Sequence, residues 1–146
     1  MRYVFSTSKV KRYRFPTHIN DLVLDRSEAK NSEVFVVVVE PGKAAPLHKH
    51  DDTEQIFYVL EGEGTLFIGR DGEKHAVRPG DVVRIPPSTW HTIRSDGGTT
   101  LRYLAVDCFG GARAQDEPTW DAHVRAVCRQ QGWDYTRVVE GGTAEK

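Results

Sequence analysis

Three histidines and one glutamine, set among glycines and prolines, constrain this chain more than its composition does. His48 and His50 lie in Gly42-Lys-Ala-Ala-Pro-Leu-His48-Lys49-His50. Gln55 follows five positions after His50, and Gly62 seven positions after Gln55. His91 closes a second block, Gly80-Asp-Val-Val-Arg-Ile-Pro86-Pro-Ser-Thr-Trp-His91. Side chains alternate faces along a strand, so His48 and His50 share one face and Lys49 takes the other. Asp51 to Glu54 is short, polar and turn-like. Gln55 to Leu60 reads as a strand with Gln55, Phe57 and Val59 on one face. Two adjacent antiparallel strands then bring His48, His50 and Gln55 to one point, and His91 starts a later strand. Neutral imidazoles and an amide oxygen at the mouth of a small β-barrel make a pocket for one divalent metal ion.

The rest of the chain reads mostly as strand. Val34 to Glu40 is continuous and β-branched, which predicts burial on both faces. Thr65–Ile68 and His75–Val77 flank the turn Gly69-Arg-Asp-Gly72, a hairpin pattern. Asp81–Ile85 and Leu101–Val106 supply later strands, with a Ser95-Asp-Gly-Gly98 turn between them. Many short strands with Gly, Pro and Asp turns predict an all-β jelly roll. Residues 1 to 30 form an arm whose short strands pair along a barrel edge or cross to a partner. Pro118-Thr-Trp120 opens a short C-terminal helix that runs to about Gln131 and stops at Gly132. Trp120, Val124, Val127 and Gln131 share one face of it and pack on the barrel or a neighbouring subunit. His18, His75 and His123 lack ligand spacing and are read as surface or packing residues.

The two histidine blocks resemble the motifs of the cupin superfamily. The first motif is Gly, five residues, His-x-His, a short gap, a carboxylate, six residues and Gly. Gly42, His48, His50, position 55 and Gly62 fit it. The second is Gly, five residues, Pro-x-Gly, two residues and His. Gly80, Pro86 and His91 fit, while Ser88 replaces the Gly and Ser95 stands where Asn is frequent. The resemblance covers residues 31 to 110. It implies a double-stranded β-helix, with 1–30 as an N-terminal arm, 31–110 as the barrel core and 111–146 as a C-terminal loop and helix of a single domain.

Gln55 stands where many cupins have Glu. Glu54 is the rival ligand, but counting back from Gly62 lands on Gln55, and a Glu54 ligand would turn the other strand face inward. An amide oxygen adds no charge, so the ion keeps its full +2 and acts as a stronger Lewis acid toward an anion. The ion expected on these grounds is one of Zn, Fe, Ni or Mn.

Asp107-Cys-Phe109 followed by Arg113 resembles a segment of small cupins that linearise unsaturated uronates in pectin and alginate breakdown. That resemblance implies metal-assisted proton transfer, with Asp107 as an ionised base and Arg113 as a carboxylate clamp. Gly110-Gly-Ala112 departs from the prolines usual there. Tyr103 shares a strand face with Asp107 and is a second candidate for proton transfer. Phe57 is read as pocket wall, and Trp90 as a ring that stacks on a sugar-like substrate.

Three function classes follow: a metal-dependent isomerase, tautomerase or lyase on a small oxygenated molecule, a non-haem iron dioxygenase, and a non-catalytic ligand-binding cupin. The charge balance, 20 Lys and Arg against 21 Asp and Glu, gives no basic field for nucleic acid. The longest apolar run is too short to span a bilayer, and the first residues lack a signal peptide's apolar core. Cys108 and Cys128 match no zinc spacing and read as free thiols of a reducing cytoplasm. The open jelly roll leaves strand edges and an apolar sheet face, which predicts a homodimer.

Overall fold

The computed structural model describes residues 1–111 and 116–140. Nine strands and two helices follow one another: β1 Lys11–Arg14, β2 Ile19–Leu24, β3 Ser32–Val39, β4 Thr53–Glu61, β5 Gly64–Ile68, β6 Glu73–Val77, β7 Val82–Ile85, β8 His91–Ser95, β9 Leu101–Phe109, α1 Trp120–Gln131 and α2 Tyr135–Glu140. They form a six-stranded sheet in the order β1-β2-β3-β9-β4-β7 and a three-stranded sheet in the order β6-β5-β8. Every pairing is antiparallel. Folded over each other, the two sheets make the double-stranded β-helix that the motif resemblance implies.

Parity along β3 explains its apolar run. Glu33, Phe35, Val37 and Val39 are buried on the inner face, and Phe35, Val37 and Val39 belong to the main core. Val36 and Val38 point the other way into a small cluster with Ile19, Val23 and Leu104. Both faces of this strand are therefore covered, as its β-branched composition requires. The turn at Gly62 cannot take a side chain: φ is 78°, and a Cβ there would collide with the Thr100 carbonyl oxygen.

The arm and the helix both fold onto their own barrel. β1 and β2 extend the sheet next to β3. Thr119 caps α1, its side chain accepting from the Ala122 N–H at 3.1 Å, and Gly132 ends the helix in the left-handed region at φ 73°. The short helix α2 has no counterpart in the sequence expectations; Val138 on it is buried in the core. No helix among the described residues is long and apolar enough to cross a membrane.

Candidate metal centre

His48 and His91 are held side by side by the backbone. The His91 N–H donates to the His48 carbonyl at 2.8 Å, and the His48 N–H returns to the His91 carbonyl at 3.2 Å. The segment carrying His48 thus pairs with β8, not with the strand of Gln55 as the alternation pattern suggested. The rings of His48 and His91 lie 4.4 Å apart, and that of His50 lies 5.0 Å from His48. One ring nitrogen from each of the three fits within a sphere where all separations are under 4.8 Å. His50 reaches this point from a loop tied down at Ser88, whose N–H donates to the His50 carbonyl at 2.7 Å. Ser88 has φ 61°, the left-handed conformation that explains why the motif has Gly there.

Two hydrogen bonds orient the rings. His48 Nδ1 donates to the Pro46 carbonyl at 2.7 Å, and His91 Nδ1 to the Thr89 carbonyl at 2.8 Å. Both Nε2 atoms are thereby left as electron-pair donors, the arrangement that fixed partners impose on metal-binding imidazoles. Burial lowers the pKa of all three rings, that of His50 to about 3 and that of His91 to about 4. Neighbouring imidazoles add to the shift, so the cluster is neutral and able to ligate.

Gln55 is buried on β4 beside Phe57 and Val59, whereas Glu54 faces outward and pairs with Arg84 at 3.3 Å. The Gln55 Nε2 donates to Asp107 Oδ1 at 2.7 Å. This fixes the amide so that Oε1 is the free end. Among the described residues, four buried polar side-chain atoms have no partner: Asn20 Oδ1, Gln55 Oε1, His91 Nε2 and Trp120 Nε1. All four residues line one cavity of about 500 Å³. Buried polar groups are rarely left bare, so these atoms mark where something else binds. His91 Nε2 and Gln55 Oε1, with His48 and His50, form a donor set suited to a divalent first-row ion.

Asp107 also lines the cavity, and its environment departs from the expectation of an ionised base. Burial, with Glu33 opposite it, pushes its carboxyl well above the usual carboxylate range. Glu33 in turn is held by Arg26 through two bonds of 2.7 and 3.0 Å. Tyr103 and Phe57 face the cavity with rings 4.8 Å apart, and burial raises the Tyr103 pKa. Trp90 is not among the described residues that line the cavity, and Arg70 lies over its ring at 4.2 Å. Arg113 lies outside the described residues.

Sequence reasoning missed the roof. The α1 face of Trp120, Val124, Val127 and Gln131 lines the same cavity as the histidines. His18 and His123 line the same cavity. His18 stacks on Phe15 at 4.8 Å, and burial lowers its pKa to about 3. His123 Nδ1 bonds Glu117 Oε1 at 2.7 Å. Periodicity did identify the helix face, but not what it covers. Cys108 and Cys128 are both free.

Comparison with known proteins agrees with the fold. The chain is 31% identical over 101 residues to a quercetin 2,3-dioxygenase of Bacillus subtilis, covering 68% of this chain and 29% of that one. It is 36% identical over 66 residues to an oxalate-binding protein of Thermotoga maritima, covering 45% and 53%. The chain spans about half or less of the length of the curated relatives it matches. Among solved structures, the polyketide cyclase RemF of Streptomyces resistomycificus superposes with a TM-score of 0.64 at 26% identity, covering 80% of this chain and 89% of that one. Residues 35–107, half of the chain and the half that carries His48, His50, Gln55 and His91, match the family model described as the cupin domain, and the chain belongs to the cupin family.

Proposed function

We propose that this chain is a metal-dependent enzyme that isomerises, tautomerises or eliminates from a small, flat, oxygen-bearing molecule. The observation that carries this reading is the pair of unpartnered buried atoms, His91 Nε2 and Gln55 Oε1, in one cavity with His48 and His50. A divalent ion held there supplies Lewis-acid polarisation of a ligand oxygen. The remaining work falls to the chain. The backbone carbonyls of Pro46 and Thr89 hold two rings in place, and Asp107 holds the Gln55 amide. Asp107 thus serves by orienting Gln55. Tyr103, kept protonated by burial, donates a proton toward a ligand oxygen. His123, oriented by Glu117, offers its other nitrogen to accept one. The rings of Phe15, Phe35, Phe57 and Trp133 line the same space, exclude water and favour a planar ligand over a sugar acid.

A dioxygenase is the second reading, supported by the quercetin 2,3-dioxygenase whose similarity covers 68% of this chain. Oxygen uptake separates the two. Protein loaded with iron(II), and in parallel with zinc(II) or nickel(II), is mixed with quercetin in an oxygen electrode cell. Uptake with iron alone supports the dioxygenase. Chain that retains none of iron, zinc, nickel or manganese after purification and reconstitution sinks both readings. A non-catalytic binder would hold ligand yet turn over nothing with any metal.

The same reading includes a homodimer and a cytoplasmic setting, where two free cysteines stay reduced. The arm and α1 are used up on their own barrel, which leaves the outward face of β4 and β7. Tyr58 and Val82 are opposite each other there and exposed, with Leu60 beside them. A dimer mass by light scattering that reverts to monomer in Tyr58→Arg/Val82→Arg supports this; a monomeric parent at micromolar concentration rules it out.

A further inference from the structure

We infer that the cavity has a second binding pole, formed by Asn20 of β2 and Trp120 of α1, which takes a hydroxyl-type group at the end of the ligand away from the histidines. The inference rests on the reading that the histidine cluster holds a metal and a ligand oxygen. Asn20 is 8% exposed and Trp120 2% exposed, yet Asn20 Oδ1 and Trp120 Nε1 have no partner among the described residues. Leaving such an atom bare is costly. A metal accounts for the other two unpartnered atoms, His91 Nε2 and Gln55 Oε1, whereas Asn20 and Trp120 belong to β2 and α1, neither of which carries any of the four metal donors.

The two atoms have complementary chemistry. Trp120 Nε1 only donates, and Asn20 Oδ1 only accepts. A hydroxyl can satisfy both, accepting from the indole and donating to the amide oxygen. An ether or a methyl group can satisfy at most one. Both residues belong to the same side of the cavity. Asn20 pairs in register with Tyr13 on β1 and Val37 on β3. The Trp120 ring lies 6.5 Å from the Tyr13 ring and 4.6 Å from that of Phe35. Gln55 lies three strands away in the order β2-β3-β9-β4. At about 4.8 Å per strand, the path along the curved sheet is roughly 14 Å, an upper bound on the span between the poles across the cavity. The ligand class is therefore a metal-chelating planar group bearing a hydroxyl on an arm.

The test uses zinc-loaded protein and calorimetric titration with catechols. Three alcohols of increasing arm length are compared with hydrocarbons of equal heavy-atom count. They are 3,4-dihydroxybenzyl alcohol against 4-ethylcatechol, 2-(3,4-dihydroxyphenyl)ethanol against 4-propylcatechol, and 3-(3,4-dihydroxyphenyl)propan-1-ol against 4-butylcatechol. At least one alcohol should bind about tenfold tighter than its partner, the usual scale of a buried hydrogen-bonded group. Asn20→Leu and Trp120→Phe should each erase that preference while plain catechol and zinc bind as in the parent. Ligand-free Asn20→Leu should have a Tm no lower than the parent, because it removes an unsatisfied group, whereas a structural asparagine would lower it. A parent that binds catechol but prefers no alcohol overturns the second pole alone, as do variants that keep the preference. Zinc-loaded protein that binds no catechol at all overturns both this inference and the metal-centred reading beneath it.

Discussion

Gln55 on β4 and Asp107 on β9 stand opposite each other in register, and the Gln55 amide nitrogen donates to Asp107 Oδ1 across 2.7 Å. That bond decides which end of the amide faces the histidines. Removing it frees the amide to rotate and to present a nitrogen that cannot ligate. Asp107→Leu should therefore weaken zinc binding by about 10–100-fold, the scale of lost supporting contacts around a metal site. Asp107→Asn keeps an acceptor oxygen and should stay near the parent. Competition with a chromogenic chelator measures both. Equal affinity for Asp107→Leu and parent would show that Gln55 does not depend on Asp107.

The same bond begins a buried row that crosses the sheet. Asp107 faces Glu33, Glu33 takes both arms of Arg26, and Arg26 reaches the Glu117 carbonyl at 3.1 Å. The Glu117 carboxylate then meets His123 on the roof. Arg26 and Glu33 have side chains 6% and 0% exposed, so neither charge is solvated. Arg26→Met should cost about 3–5 kcal/mol, since it strands a buried carboxylate. Arg26→Met with Glu33→Leu should recover much of that loss. Urea denaturation reports each value. A single variant as stable as the parent would mean that Glu33 finds other relief.

How much of this was legible follows from what kind of signal each part carries. Strand parity is local, so it placed Gln55 and Phe57 inward and Glu54 outward, and put Tyr103 on one face with Asp107 without saying which way that face points. Motif spacing gathered His48, His50 and His91. Glu33 shares parity with Phe35 and Val37 and could have been read as buried, but its partners, Arg26 and Asp107, lie on separate segments. Asn20 and Trp120 meet the cavity only because β2 and α1 fold back onto this barrel. No spacing rule encodes that docking, and the helix's apolar face fits a partner subunit equally well. The raised pKa of Asp107 in the metal-free fold was not legible for a related reason: the facing Glu33 lies on another strand.

Gln55→Glu offers a direct test of how charge is balanced at the centre. In the metal-free protein a third carboxylate would face Asp107 and, beyond it, Glu33. A further buried carboxylate beside these two groups is costly even where Asp107 holds its proton. The metal-free variant should melt below the parent. Zinc should raise its Tm by more than it raises the parent's, because the ion offsets the added charge and stabilises by its binding free energy. Differential scanning fluorimetry with and without zinc decides it. Equal zinc-induced shifts in the two proteins would remove residue 55 from the metal's surroundings.

Acid should destabilise the metal-free protein early. Burial lowers His18 and His50 to about 3 and His91 to about 4, and His48 moves the same way. In the unfolded chain these imidazoles protonate near pH 6.5, roughly the ordinary value. Between those limits the unfolded state binds more protons, so stability is complete above about pH 6.5 and falls as pH drops toward the folded values. Each imidazole contributes a slope of about 1.4 kcal/mol per pH unit within its window. Asp107 acts with the opposite sign, since its raised pKa makes the folded state the better proton binder, but it is one group against four. Denaturation midpoints at pH 7.5, 6.5, 5.5 and 4.5 should therefore fall steadily below 6.5. His18→Phe, which keeps the stacking position on Phe15, should show a shallower fall by about one proton's worth of slope. A midpoint that stays level from pH 7.5 to 4.5, or a His18→Phe curve parallel to the parent's, would mean that the rings are protonated or solvated in the folded chain, and the neutral cluster on which metal capture depends would be lost.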